Sequence, residues 1–181
     1  MKRVSFWIWV GIVLVAAALL TGLAKVEINE SAQLISLGDV SVYIAVLFSC
    51  NIIGLAALIV GSVLGVVFTG VYSYILPILI ARALMAIFLM LFRRKFALGW
   101  KSAIIGAAIT EGIMVAVYFV YEIIFSGLPF GVIASGFFAH VVEGAICGLI
   151  GLVLLKLFET KSPEQDGEPL FNTKSKGRQL N

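Results

Sequence analysis

Arg82 is the only charged residue between Val40 and Phe92, and it stands five residues after Pro77 in the stretch GVYSYILPILIARALM, Gly70 to Met85. An arginine at the centre of a bilayer helix is disfavoured by at least ~2.5–3.5 kcal/mol on insertion scales. A lipid-facing arginine gains nothing in return, so Arg82 should point inward, to a carboxylate, a wet cavity or a bound solute. Further along, Glu111, Tyr118 and Glu122 are spaced seven and four apart, and His140 and Glu143 three apart, each set on one helix face. Guanidinium, phenol, imidazole and carboxylate groups can hold a polar solute. The same groups can staple helices through ion pairs and interhelical hydrogen bonds. Both uses fit these residues taken singly. Acid–base or metal chemistry at His140 and Glu143 is a third use, but a metal site ordinarily needs three protein ligands, and no nucleophile stands beside the pair.

The surroundings of these groups are apolar. The 181 residues are 61% hydrophobic and 13% charged, with a mean hydropathy of +1.11, well above the ~45–50% apolar share of a soluble domain. A span needs ~20 mostly apolar residues to cross ~30 Å of hydrocarbon, and nearly everything from Phe6 to Phe158 qualifies. The runs are continuous rather than alternating, which argues for helices over a barrel. The composition therefore predicts an all-α, polytopic membrane protein. Its transmembrane domain covers 1–158, and a polar, disordered cytoplasmic tail covers 159–181. The net charge of +3 sits at membrane edges, where it sets orientation, and is not a nucleic-acid signal. Cys50 and Cys147 lie in apolar runs and read as small buried hydrophobes. Lys2 and Arg3 before an apolar run, with Gly22 to Ala24 as small-x-small, imitate a secretory signal. The run exceeds the ~7–15 residues of a signal core, so it reads as a retained first helix.

Taken in order, span 1 runs from Phe6 to Ala24. A polar connector, Lys25 to Gly38, follows and ends at Gly38 and Asp39, which suit a turn and a helix N-terminus. Val40 to Phe92 has room for three short spans, broken at Asn51 to Gly54 and Gly70 to Ser73. Span 5 covers Trp100 to Phe125, the turn SGLPF follows, and span 6 covers Gly131 to Phe158. Six spans put both termini on one side. Lys2, Arg3, Arg93, Arg94, Lys95, Lys101, Lys156 and the basic residues of the tail fall there too, while Lys25 alone falls opposite. The positive-inside rule makes that side cytoplasmic. At about 1.5 Å per residue, Arg82 lies about 12 Å, His140 about 13–14 Å, Glu143 about 18 Å, Tyr118 about 10 Å and Glu122 about 5 Å below the outer face. Three helices thus deliver groups to the outer half of the membrane, with Tyr72, Tyr74 and Asp39 nearer the mouth and the connector long enough to cover it. Small residues recur at every fourth place in span 3 (Ala57, Gly61, Gly65, Thr69), in span 1 (Ala18, Gly22) and in span 6 (Gly144, Gly148), a pattern that lets helices approach closely.

LGDVSVYIA (Leu37 to Ala45), GVYSYILPILIARALM, YFVYEIIFSG (Tyr118 to Gly127) and HVVEG (His140 to Gly144) occur in an order and spacing that resembles the substrate-binding S components of energy-coupling factor (ECF) vitamin transporters, especially the riboflavin-type branch. That family has Gly-Tyr, a proline and a basic residue five positions on, as at Pro77 and Arg82. The chain departs from it in three places. Arg82 stands where lysine is common, His140 and Glu143 stand where an Asn-x-x-Gln pair is common, and the docking stripe of span 1 is only approximate, Ala18 with Gly22. The resemblance implies a subunit that captures a small water-soluble vitamin or precursor from outside. The subunit then reorients beside a transmembrane coupling subunit driven by two ATPase subunits. The chain has no GxxxxGK[ST] phosphate loop, so hydrolysis would belong to those partners. Substrate contacts then fall to Arg82, Tyr118, His140 and Glu143, with Glu122, Tyr72, Tyr74 and Asp39 toward the mouth. No cofactor or metal is called for. A structural protein of the cell envelope, binding no solute, is the competing expectation.

Overall fold

A computed structural model describes residues 2–23, 25–28, 33–48, 51–96 and 99–158. The tail expected to be disordered, 159–181, lies outside them, as does Cys50. The described chain is almost entirely helical: α1 (Lys2–Gly22), α2 (Val40–Phe48), α3 (Ile52–Thr69), α4 (Ile75–Lys95), α5 (Trp100–Phe125) and α6 (Phe130–Leu157). Of these, α1, α3, α4, α5 and α6 are long and apolar enough to cross a membrane. Leucine, isoleucine, valine and phenylalanine cover their outward faces, as a lipid solvent requires.

Two features refine the expected arrangement. Of the three short spans expected in Val40 to Phe92, α3 and α4 are long enough to cross a membrane, whereas α2 has nine residues, a rise of about 13–14 Å against ~30 Å of hydrocarbon. The polar connector, for its part, has a structure of its own. The connector folds into an antiparallel hairpin of β1 (Lys25–Ile28) and β2 (Gln33–Ser36), Lys25 opposite Ser36 and Ile28 opposite Gln33, and then a single 3-10 turn, Leu37–Asp39.

The breaks between helices fall where small and polar residues cluster. Asn51 caps α3, its side chain accepting a hydrogen bond from the Gly54 N–H at 2.8 Å. Gly70 ends α3 with φ +76, a left-handed conformation that glycine adopts without a Cβ penalty. A 3-10 turn, Tyr72–Tyr74, then leads into α4. Pro77 sits in the first turn of α4, where its missing N–H has no intrahelical partner to lose.

The closest helix pair is α1 with α3. A Cβ on Gly65 would meet the Ala18 carbonyl oxygen at 2.7 Å, a Cβ on Gly22 would meet the Gly65 carbonyl at 3.2 Å, and Gly61 lies against the Leu14 carbonyl and Ala17. The order of these contacts makes α1 and α3 parallel, and it turns the small-residue stripes of both helices toward each other. Trp9 stacks on Phe48 with centroids 4.2 Å apart, and Phe48 meets Phe158 edge-on at 5.0 Å. Arg93 donates to the Val46 carbonyl at 2.8 Å, and the Lys156 ammonium lies 5.2 Å from the Trp100 ring. The start of α1 and the ends of α2, α4 and α6 therefore share one basic end of the bundle with the start of α5.

Candidate functional site

Arg82 reaches the interior because α4 turns one face inward, carrying Ile78, Arg82, Met85 and Leu89, all buried, in line with Tyr74 of the preceding 3-10 turn. Its guanidinium is 1% exposed. Nε stands 3.2 Å from Asp39 Oδ1, and Nη1 donates to Thr21 Oγ1 at 2.5 Å. Any side chain at position 38 would run into this guanidinium, so Gly38 lets the backbone close over it. The remaining polar atoms of the pair, Asp39 Oδ2 and Arg82 Nη2, make no hydrogen bond among the described residues.

A second group of polar side chains joins the 3-10 turn that precedes α4 to α5, to α6 and to the hairpin. His140 lies between two carboxylates, with Nδ1 3.0 Å from Glu143 Oε2 and Nε2 3.3 Å from Glu122 Oε1. Neutral imidazole has a single N–H. Both contacts are hydrogen bonds only when the three groups share two protons. The Tyr74 hydroxyl donates to Glu122 Oε1 at 3.0 Å, and the Ser36 backbone N–H donates to Glu143 Oε1 at 2.8 Å. Tyr118 packs its ring 4.6 Å from His140 and 6.0 Å from Tyr74. Deeper in the bundle, Tyr43 of α2 donates to Glu111 Oε1 at 2.7 Å, leaving Oε2 without a donor. Gly144 and Gly148 make room for Glu111: a Cβ on either would lie 3.2 Å and 3.1 Å from its side-chain carbons.

The segment Ser36 to Tyr43 links these groups. Ser36 serves Glu143, Asp39 serves Arg82, and Tyr43, four residues on, serves Glu111. Arg82 and His140 thus belong to one polar core, joined through the end of the connector rather than across hydrocarbon. The sequence places that end over a pocket, as a cover from outside. It lies inside instead, because buried carboxylates require donors and the backbone and side chains of residues 36–43 supply them.

Arg82, Asp39, Tyr74, Tyr118, Glu122, His140 and Glu143 come together in this core. Tyr72, 62% exposed on the 3-10 turn, does not. Glu143 is engaged by Ser36 and His140, and the counter-ion of Arg82 is Asp39. Ala18 and Gly22, candidates for docking a partner subunit, face α3 of their own chain. Thr21, Ser36 and Tyr43 do not stand out from sequence reasoning. Thr21 and Tyr43 each carry a signal, one as the only hydroxyl in the later half of span 1, the other as a tyrosine four residues beyond Asp39.

Two grooves lie elsewhere. One, about 770 Å³, runs between α5 and α6 over Glu111, Val115, Phe119, Val141 and Gly148. The other, about 300 Å³, lies between α4 and α5 over Pro77, Ile80 and Tyr121. Their linings are almost wholly apolar, as suits surfaces that lipid chains cover, and neither contains Arg82 or His140. Among the described residues, no three His, Cys, Asp or Glu side chains are gathered so as to hold a metal ion.

Fold and site together define a multi-pass helical membrane protein with an ionisable core. No protein-family model, curated protein or solved structure matches the chain.

Proposed function

We propose that this protein is the substrate-specificity subunit of an uptake system in the cytoplasmic membrane, an S-component-like carrier that captures a small water-soluble vitamin or precursor from outside. The observation that carries the reading is the density of ionisable groups inside the bundle: Asp39, Arg82, Glu111, Glu122, His140 and Glu143 are all at most 6% exposed. Helix stapling alone needs far fewer, and ionisable groups at membrane depth ordinarily mark solute or ion paths. The aromatic rings of Tyr74 and Tyr118 beside His140 add faces on which a flat solute could stack. On this reading the 3-10 turn and α2 complete a sixth crossing, both termini are cytoplasmic, and the solute displaces the Ser36 N–H from Glu143. A transmembrane coupling subunit and two ATPase subunits would drive uptake. With Ala18 and Gly22 turned to α3, docking beside α1 would fall to its outward residues Trp7, Ile8, Ile12, Val15 and Leu19, which are exposed.

One observation favours a second reading. Each of the six ionisable groups has a protein partner, as expected of an envelope structural protein whose polar groups only staple helices. Mass spectrometry of the protein purified in detergent separates the two. The carrier reading expects one small solute to co-purify in near-stoichiometric amount. A protein that is folded and solute-free from cells grown on rich medium, and that takes up none of the supplied vitamins, supports the structural reading.

A further inference from the structure

The polar core has an imbalance that bears on the kind of solute it takes, an inference that rests on the carrier reading above. Four buried carboxylates, Asp39, Glu111, Glu122 and Glu143, face one guanidinium and one imidazole. With every carboxyl ionised, that is a formal excess of two negative charges even with the imidazole protonated. The hydrogen bonds are lopsided in the same sense. Among the described residues, Asp39 Oδ2, Glu111 Oε2 and Glu122 Oε2 are buried without a donor, whereas Arg82 Nη2 is the single unpaired donor of the core. Buried polar atoms are ordinarily paired, and an uncompensated carboxylate is the hardest of them to bury.

Arg82 is poorly placed to receive an anion. Its Nε and Nη1 are committed to Asp39 and Thr21, and the Gly38 backbone presses against Nη2. The fork that would grip a carboxylate or phosphate in bidentate fashion is therefore occupied. On the α5–α6 side the rings of His140, Tyr118 and Tyr74 succeed one another at 4.6 and 6.0 Å, beside Glu122 and Glu143. Aromatic faces next to carboxylates favour a flat cation.

We infer that the solute is a planar, positively charged, N–H-rich molecule of the amidinium or protonated amino-heterocycle type, bound by Glu122, Glu143 and the orphaned carboxylate oxygens of the core. Its N–H groups replace the Ser36 N–H on Glu143 and supply the donor that Glu122 Oε2 lacks. An anionic vitamin is excluded by the same arrangement.

Benzamidinium, benzamide and benzoate share one shape and carry charges of +1, 0 and −1, so they isolate the sign of charge. The full chain in detergent is melted with each at equal millimolar concentration. The inference expects benzamidinium to raise the Tm by several degrees, benzamide by less, and benzoate not at all. It also expects Glu122→Gln to remove the benzamidinium shift. Glu111→Gln serves as a second variant, and if either unfolds, the three-probe comparison on the unaltered chain decides alone. A benzoate shift equal to or above that of benzamidinium overturns the inference and leaves the carrier reading standing. So does a co-purifying anionic solute. No shift from any probe, together with no co-purifying solute, overturns both.

Discussion

Asp39 and Arg82 show how much of this protein depends on single buried charges. Removing one partner of a buried ion pair leaves a desolvated charge and destabilises by about 3–5 kcal/mol, whereas a change that neutralises both, with the volume kept, can be nearly neutral. Arg82→Ala is therefore expected to lower the Tm in detergent strongly, and Asp39→Asn added to it is expected to recover most of the loss. Losses that simply add would mean the two side chains do not share an interaction. The same pair of variants bears on function. If the core also serves a solute, the double variant regains stability without regaining binding. Asp39 is legible in the sequence as a helix-start residue and a candidate contact near the mouth but not as a counter-ion, because that role is set by a residue 43 positions away. Arg82 itself is legible, since a lone arginine in lipid-compatible sequence has few places to go. Which carboxylate meets it is not legible, since depth along a helix does not say which neighbour turns toward it.

At the scale of elements, most of the helices can be drawn from hydropathy and from Asn51, Gly70 and the turn around Gly127, since continuous apolar runs and cap residues are local signals. The connector cannot. Its hairpin and 3-10 turn are positioned by bonds such as Ser36 to Glu143, 107 residues apart, which no local pattern announces. The short length of α2 is hidden for the same reason. Its sequence is apolar throughout, but the residues just before it are consumed by the polar core. The packing of α1 on α3 makes a prediction of its own. A side chain at Gly65 would meet backbone at 2.7 Å, a contact that cannot yield by rotating a side chain, whereas a Cβ on Gly11 of α1 would have nothing within 4 Å. Gly65→Val is expected to destabilise by about 1–3 kcal/mol through overpacking, and Gly11→Val to leave the stability within about 1 kcal/mol of the parent. Equal effects at both sites, read by thermal unfolding in detergent, would mean that the small-residue stripe does not hold the two helices together.

For the whole molecule, the question is how many times the chain crosses the membrane, and the direction of α3 bears on it. Because α3 runs parallel to α1, the six-crossing reading proposed above has the segment between them carry the chain back through the bilayer. That task falls to the 3-10 turn Leu37–Asp39 and α2, short as they are. On that reading a segment this short completes a crossing because the polar core extends to Ser36, so part of the bilayer's thickness at this place would be spanned by hydrogen-bonded protein rather than by an apolar helix. With six crossings, Ser5 and Phe96 lie on the cytoplasmic side and Tyr72 outside. If α2 merely lay at the surface, α3 would have to point the other way, Tyr72 and Phe96 would exchange sides, and Arg93, Arg94 and Lys95 would face outward against the positive-inside rule. The test is a set of single-cysteine variants, Ser5→Cys, Tyr72→Cys and Phe96→Cys, with Cys50 and Cys147 replaced by alanine. All three positions are solvent- or lipid-exposed, so labelling does not require the core to open. A membrane-impermeant maleimide on intact cells is expected to label position 72 and to spare 5 and 96 until the cells are opened. Labelling of 96 with sparing of 72 would establish five crossings and place the polar core in the opposite half of the membrane, closed to any solute arriving from outside.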